Sequence, residues 1–268
     1  MALKVALVGC GAMGSALLKG WLTLSDSRER FEKFWVIAPH REKVEPFLKD
    51  ARVQWLSSPE GLSHIPDIIL FAVKPYILAD VLPAYKSFNS FFISVATGKS
   101  LDFYQQILSS SLPFVRAMPN TPVVIHQGVI GLFTTGQLTK DQNALIDMCL
   151  GALGFCLWVK SDDDLDKLTA ISGSGPAYVF AMIEAMAASA ESLGFDKKTS
   201  LSLALSTFMG AATYAHQSKD SPTILRERVT SPQGTTAEAL KVFERDGLGT
   251  MMDEAVKAAY HRAKELRE

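Results

Sequence analysis

Three cysteines, Cys10, Cys149 and Cys156, stand in 268 residues. They form neither an even disulfide set nor metal-ligand spacing, which fits a chain held in a reducing cytoplasm. Charge of one sign is equally scarce. Twenty-seven Lys and Arg against 28 Asp and Glu leave −1, so there is no electrostatic case for nucleic acid or an anionic membrane. No apolar run approaches the roughly 20 residues of a membrane span. The N-terminus passes straight into a strand, without signal-peptide architecture. What remains is 48% hydrophobic and 21% charged, a soluble composition long enough for one or two domains with full cores.

The chain is organised around Lys4 to Leu18, KVALVGCGAMGSALL. Val5 to Val8 has the length and composition of a buried parallel strand. Gly9-x-Gly11-x-x-Gly14 then leads into good helix formers, the strand–turn–helix setting of a dinucleotide fingerprint. Gly9 serves the tight turn, Gly11 the approach of a pyrophosphate, and Gly14 the packing of helix on strand. The pyrophosphate would sit on the free N–H groups of that helix. Cys10, an x position of the loop, reads as a small filler. The second strand, Phe34 to Ile37, ends in Ala38-Pro39-His40-Arg41. An acid there would bind the ribose 2′-hydroxyl of NAD. Its absence, with His40, Arg41 and Lys43 nearby, favours a 2′-phosphate, hence NADPH over NADH.

Further strands are expected at Val53–Leu56, Asp67–Val73, Phe91–Val95, Phe114–Ala117, Val129–Phe133 and Phe155–Val159. A helix at about Lys140–Leu153 separates the last two. Alternating strands and helices predict a doubly wound sheet of about eight strands over residues 1–160. Lys74-Pro75 closes the strongest strand at the carboxyl edge where ligands bind, and Ala96-Thr97-Gly98 leaves room for a nicotinamide ring. Met118-Pro119-Asn120-Thr121-Pro122 makes a rigid polar loop.

Residues 161–268 read as all helical. Ser161-Asp162-Asp163-Asp164 suits a capped helix start, and Ser172-Gly173-Ser174-Gly175-Pro176 is a break before a helix that Gly194 stops. That helix carries Val179, Met182, Ile183, Met186 and Ala190 at helical spacing, with further alanines on its other faces. It reads as buried on most sides, against another subunit. A second helix follows Asp196, with Leu201, Leu205, Phe208 and Ala212 as its stripe, and Ser221-Pro222 opens a short third one. Thr230-Ser231-Pro232-Gln233-Gly234-Thr235-Thr236 leads into a helix in which Thr235 and Glu238 are expected to form a capping box. Hydroxyls and N–H groups there suit a substrate carboxylate, or simply a well-capped helix.

Taken together, VGCGAMG, FAVKP, RAMPNTP, SGSGPAY and SPQGTTAEAL, in this order and spacing, resemble the pyrroline-5-carboxylate reductase family over essentially the whole chain. The resemblance implies reduction of the cyclic imine 1-pyrroline-5-carboxylate to L-proline with NAD(P)H, the last step of proline biosynthesis. It implies an N-terminal Rossmann domain and a C-terminal helical dimerisation domain, with dimers assembling into decamers in many members. On this chain it implies that Gly9, Cys10, Gly11, Ala12, Met13 and Gly14 hold the pyrophosphate and that His40, with Arg41 beside it, meets the 2′-phosphate. Ala72, Val73, Lys74 and Pro75 would line the cofactor, with Ala96 on the nicotinamide side and Asn120 in the adjacent loop. Thr235 and Thr236, with Ser231 and Gly234 of the same loop, would hold the carboxylate. Thr169 would lie near the imine nitrogen, with Asp162 near the same site; the donor to that nitrogen is then expected to be Thr169 or a water.

Gln233 stands where the family has glycine; a positive φ there costs about 1 kcal/mol. Arg228 replaces an asparagine, and Ser58-Pro59 stands where an adenine-side asparagine is usual. Two rival readings exist. A β-hydroxyacid dehydrogenase type of enzyme would want a catalytic lysine, for which Lys167 and Lys197 are the early candidates. A non-catalytic NADP-binding regulator would not need the TAISGSGPAY segment.

Overall fold

The computed structural model describes residues 2–108 and 114–267. Eight strands, β1 (Leu3–Val8), β2 (Phe31–Ile37), β3 (Val53–Leu56), β4 (Ile68–Phe71), β5 (Phe91–Ser94), β6 (Phe114–Pro119), β7 (Gly128–Phe133) and β8 (Gly154–Trp158), form one sheet. Their order is β3-β2-β1-β4-β5-β6-β7-β8. Every pairing is parallel except β6 with β7. The chain leaves β1 toward β2 on one side and returns to β4 on the other, so a topological switch point opens at their carboxyl ends.

The edge strand β8 leaves Phe155, Leu157 and Trp158 exposed, while the central strands are buried on both faces, and each face has its own core. One gathers Leu7, Leu17, Trp21, Phe34 and Leu70, where the Trp21 indole donates 2.6 Å to the Cys149 carbonyl and stacks on Phe34. The other gathers Ala6, Phe71, Tyr85, Phe92 and Tyr104.

The helices are α1 (Ala12–Thr23), α2 (Ser27–Arg30), α3 (Leu78–Val81), α4 (Leu101–Leu108), α5 (Lys140–Cys149), α6 (Asp162–Leu168), α7 (Gly175–Ser192), α8 (Lys197–Gln217), α9 (Pro222–Arg228), α10 (Thr235–Arg245) and α11 (Leu248–Arg267). Not every crossover is a regular helix. Residues Arg41–Lys43 and Glu45–Phe47 form single 3-10 turns, the second containing Pro46, and Pro75 and Pro83 likewise hold their segments to short turns. The expected helix at 140–153 divides into α5 and a 3-10 turn at Gly151–Leu153.

Contacts divide the chain into two units, one up to Ser174 together with Ala259 onward, the other Gly175–Ala258. The sequence reading divides it after Lys160. The difference is α6 and the end of α11: Leu165 and Leu168 belong to the second sheet core, so α6 packs as part of the sheet unit. In the other unit Ala187 is the only buried residue of α7. Val179, Phe180, Met186, Leu201 and Leu205 are each more than 40% exposed, so the apolar faces expected to be buried stay open within one chain. No helix of the described residues is long and apolar enough to cross a membrane.

Candidate active site

The switch point holds a cleft of about 380 Å³. Its floor is the glycine loop. Gly9 has φ +100°, and a Cβ on Gly14 would lie 2.2 Å from the Gly9 carbonyl; the loop therefore fits against α1 only without side chains at both positions. Gly11 is the N-cap of α1, with no side-chain cap. A Cβ there would meet nothing within 4 Å, so its free side is open. The first N–H groups of α1 have no partner within the helix and form a cradle for a phosphate anion.

Around this floor the structure brings together most of the expected cofactor residues. Gly9, Cys10, Gly11, Ala12 and Met13 line one side, Ala72, Val73, Lys74 and Pro75 another, and Ala96 with Thr97 the far end. Cys10 is buried, its thiol pushed up by desolvation, and it donates 3.5 Å to the Lys43 carbonyl. His40 lines the cleft, with Nδ1 3.4 Å from Glu42.

Arg41 stands apart from the residues that line the cleft. It does not line the cleft; its guanidinium lies 5.8 Å from the Trp55 ring centroid. Lys43, two residues on in the same 3-10 turn, lines the wall instead. The fit is that of a dinucleotide carrying a 2′-phosphate: glycine cradle, His40 and Lys43 on the wall, and no acid at the end of β2.

Asn120 also stands apart from the cleft residues. It does not line the cleft, and its amide is used at both ends. Nδ2 donates 2.9 Å to the Ser172 carbonyl, and Oδ1 accepts 2.8 Å from the Val129 N–H. Ser172 lies in a π-helical turn, Thr169–Gly173, closed by Ser174 N–H to the Thr169 carbonyl at 2.8 Å. Such turns interrupt regular helices and recur at functional sites. Asp162 is likewise engaged in support: one oxygen pairs with the fully buried Arg116, the other accepts 3.3 Å from Leu101 N–H.

Beside the Ala96–Thr97 end of the cleft lies an annex of about 180 Å³. Thr97 and Met118 line both cavities. Thr169 and Ser174 stand on its wall with Asp166, and Arg262 and Ala263 close it from the last turns of α11. The Thr169 hydroxyl donates 2.7 Å to the Leu165 carbonyl. With its proton on that carbonyl, the hydroxyl oxygen is an acceptor on the annex wall, whereas the sequence reading expects a donor to a substrate nitrogen. Sequence reasoning missed Asp166 and Arg262. The available signal for Asp166 was its spacing, three residues before Thr169 on one helix face.

In the helical unit the 230–236 loop is described by itself. Gly234 is the N-cap of α10, with φ −78° and ψ 168°. Thr235 is therefore the first helical residue, and the expected capping box does not form; Glu238 pairs with Lys241 at 2.7 Å instead. The chain turns through Gln233 at φ +61°, and Gly234 N–H donates 3.0 Å to the Ser231 carbonyl. A Cβ on Gly234 would lie 2.4 Å from Ser231 Oγ, so that hydroxyl sits beside the helix start. Without a side-chain cap, the N–H groups of the first turn, with Thr235 and Thr236, remain available for an anion. Arg228 is paired with Asp220, and Ser58 precedes a short turn outside the cleft. A larger depression, about 900 Å³, lies on this unit between Arg226 and Met252; it has neither a glycine cradle nor a motif residue of the cofactor set.

A family model described as pyrroline-5-carboxylate reductase dimerisation matches residues 162–266, and one described as NADP oxidoreductase, coenzyme F420-dependent, matches residues 4–98. The pyrroline-5-carboxylate reductase of Pseudomonas aeruginosa is 34% identical over 269 residues, covering 99% of this chain and 97% of its own. A solved pyrroline-5-carboxylate reductase from Coxiella burnetii is similar at TM-score 0.89 and 33% identity, covering 100% of both chains. The Plasmodium falciparum pyrroline carboxylate reductase, solved with NADP bound, has TM-score 0.85 and 27% identity, covering 99% of this chain and 98% of its own.

Proposed function

The chain belongs to the pyrroline-5-carboxylate reductase family, and from that premise we propose how its own residues reduce 1-pyrroline-5-carboxylate to L-proline, the last step of proline biosynthesis. NADPH, when bound, supplies the hydride. The glycine cradle and the N-terminus of α1 hold its pyrophosphate, and His40 and Lys43 face its 2′-phosphate. The small annex takes the ring of the imine. Thr169 offers an oxygen to the ring nitrogen; within the helical unit, taken by itself, the first turn of α10 with Thr235, Thr236 and Ser231 is an anion site suited to a carboxylate. Gly234 contributes by lacking a side chain at that helix start. Asn120 and Asp162 act from behind, the first on the π turn and the second on the start of α6. The protein's task is orientation and exclusion of water, because a protonated imine is already electrophilic.

The observation that carries this reading is the annex itself, sharing Thr97 and Met118 with the cofactor cleft and carrying Thr169 on its wall. The β-hydroxyacid reading fares worse. Lys167 lies 2.9 Å from both Asp163 and Asp164, and these partners raise its pKa rather than freeing a base. The reading extends to a homodimer joined through the helical part, with dimers assembling into decamers, at work in the cytoplasm. The test is oxidation of NADPH with added 1-pyrroline-5-carboxylate. Turnover is expected, with kcat/KM falling roughly tenfold to a hundredfold in Thr235→Ala and Thr236→Ala, the loss of a charge-assisted hydrogen bond. Absence of turnover, or full activity in both variants, refutes the proposal.

A further inference from the structure

Asp166 is 3% exposed, yet it lines the annex one turn from Thr169. Its Oδ2 lies 2.9 Å from Arg267 Nε, but the N–H does not point at the oxygen, so the two charges meet without an aligned hydrogen bond. A buried carboxylate oxygen left with acceptor capacity is costly unless something fills it. Burial pushes this carboxyl above the ordinary range, against the pull of Arg267 and Arg116. The seat is fixed, because α11 approaches so closely that a Cβ on Gly98 would lie 2.4 Å from the Leu266 carbonyl. Thr169, its own proton spent on Leu165, presents a second acceptor.

We propose that Asp166 and Thr169 form an acceptor pair that selects the substrate with its ring nitrogen protonated. The inference rests on the reading of the annex as the imine site. These two acceptors suit an N–H bearing positive charge and repel a neutral nitrogen lone pair, while Thr97, Ser174 and Arg262 on the same wall are donors for the other atoms of the ligand. The step then balances without a protein acid. The hydride adds to the imine carbon, the C=N π electrons collapse onto nitrogen, and the nitrogen keeps the proton it brought in. The resulting amine takes its further proton from water.

The charged and titratable groups around Asp166 are Arg267 and Arg262 on α11, Arg116 on β6, and Asp162 and Asp163 on its own helix, with Tyr260 donating to Asp163 at 2.7 Å. A carboxylate raises the pKa of a bound cation beside it. Removing it lowers that pKa, so the alkaline limb of kcat moves toward acid.

The test uses the full chain with NADP⁺ and compares binding of L-proline with tetrahydrofuran-2-carboxylate, in which a neutral ring oxygen replaces the ammonium. Wild type is expected to prefer L-proline at least tenfold, and Asp166→Asn to lose most of that preference while binding NADP⁺ unchanged. In turnover, Asp166→Asn is expected to shift the alkaline limb of kcat by about one unit toward acid, a tenfold loss on that side. Arg267→Gln, which removes a cation but keeps the carboxylate, is expected to produce no acid shift of the limb. Thr169→Val provides a second arm should Asp166→Asn not fold, with a smaller shift of the same sign. Equal binding of the two ring compounds by wild type overturns the proposal, as does a limb that moves equally in Asp166→Asn and Arg267→Gln. Ring discrimination without turnover of the imine would uphold the acceptor pair and reject the reductase reading instead.

Discussion

At Gln233 the backbone turns left-handed, φ +61°, under a side chain that has a Cβ. The strain is roughly 1–2 kcal/mol, and a glycine there would give back roughly 0.5–1 kcal/mol in unfolded-state entropy. Gln233→Gly is therefore expected to stabilise the fold by about 0.5–1 kcal/mol, read as a higher urea midpoint at unchanged slope. A lower midpoint would show that the Gln233 side chain holds the loop in some way that outweighs its strain. The departure from the family glycine was legible in the sequence, and the structure supplied its sign. Arg41 and Lys43 show the opposite case. Both stand in one cationic stretch after β2, and only the 3-10 turn decides that the first faces Trp55 and the second the cleft. No composition or spacing distinguishes them. Thr169 was legible as a candidate and stands on the annex wall, but which way its hydroxyl bonds depends on the Leu165 carbonyl one turn behind.

Among the elements, strands were the most legible, because eight apolar runs in alternation with turn residues leave little choice of partner face. The π turn at Thr169–Gly173 was not, since a single widened turn changes no periodicity. Nor was the start of α10, where a glycine N-cap moved the helix boundary one residue ahead of the expected box. The Asn120 clamp follows from the first of these. Asn120→Asp keeps the size but replaces the Nδ2 donor with an oxygen facing the Ser172 carbonyl. The expected result is a fall in kcat of roughly tenfold or more, from losing a buried bond worth about 1–3 kcal/mol, with NADPH affinity unchanged. Weakened NADPH binding with kcat intact, by fluorescence titration beside steady-state kinetics, would return Asn120 to the cofactor.

Over the whole molecule, the sheet unit has two filled cores while the helical unit leaves Phe180, Leu201, Leu205 and Met209 exposed within one chain. Stability drawn from association depends on concentration. The melting temperature is expected to rise with protein concentration, and alkaline or dilute conditions that yield monomer, followed by sedimentation, are expected to lose helical signal first. A melting temperature independent of concentration across a hundredfold range, with monomer in sedimentation, would sink that expectation. In the sequence, the helix too apolar for solvent pointed to another subunit, and the family resemblance added the expectation of a dimer.

The return of α11 to the sheet unit also orders events in time. A chain leaves the ribosome from its N-terminal end, and domains tend to fold as they emerge. Every residue lining the cofactor cleft has been made by Pro119, whereas the annex awaits Ala259 to Leu266, after the entire helical unit. A nascent chain can thus have a finished nucleotide site while its imine site still lacks a wall, so cofactor binding is available to steady the sheet before any reaction can be catalysed.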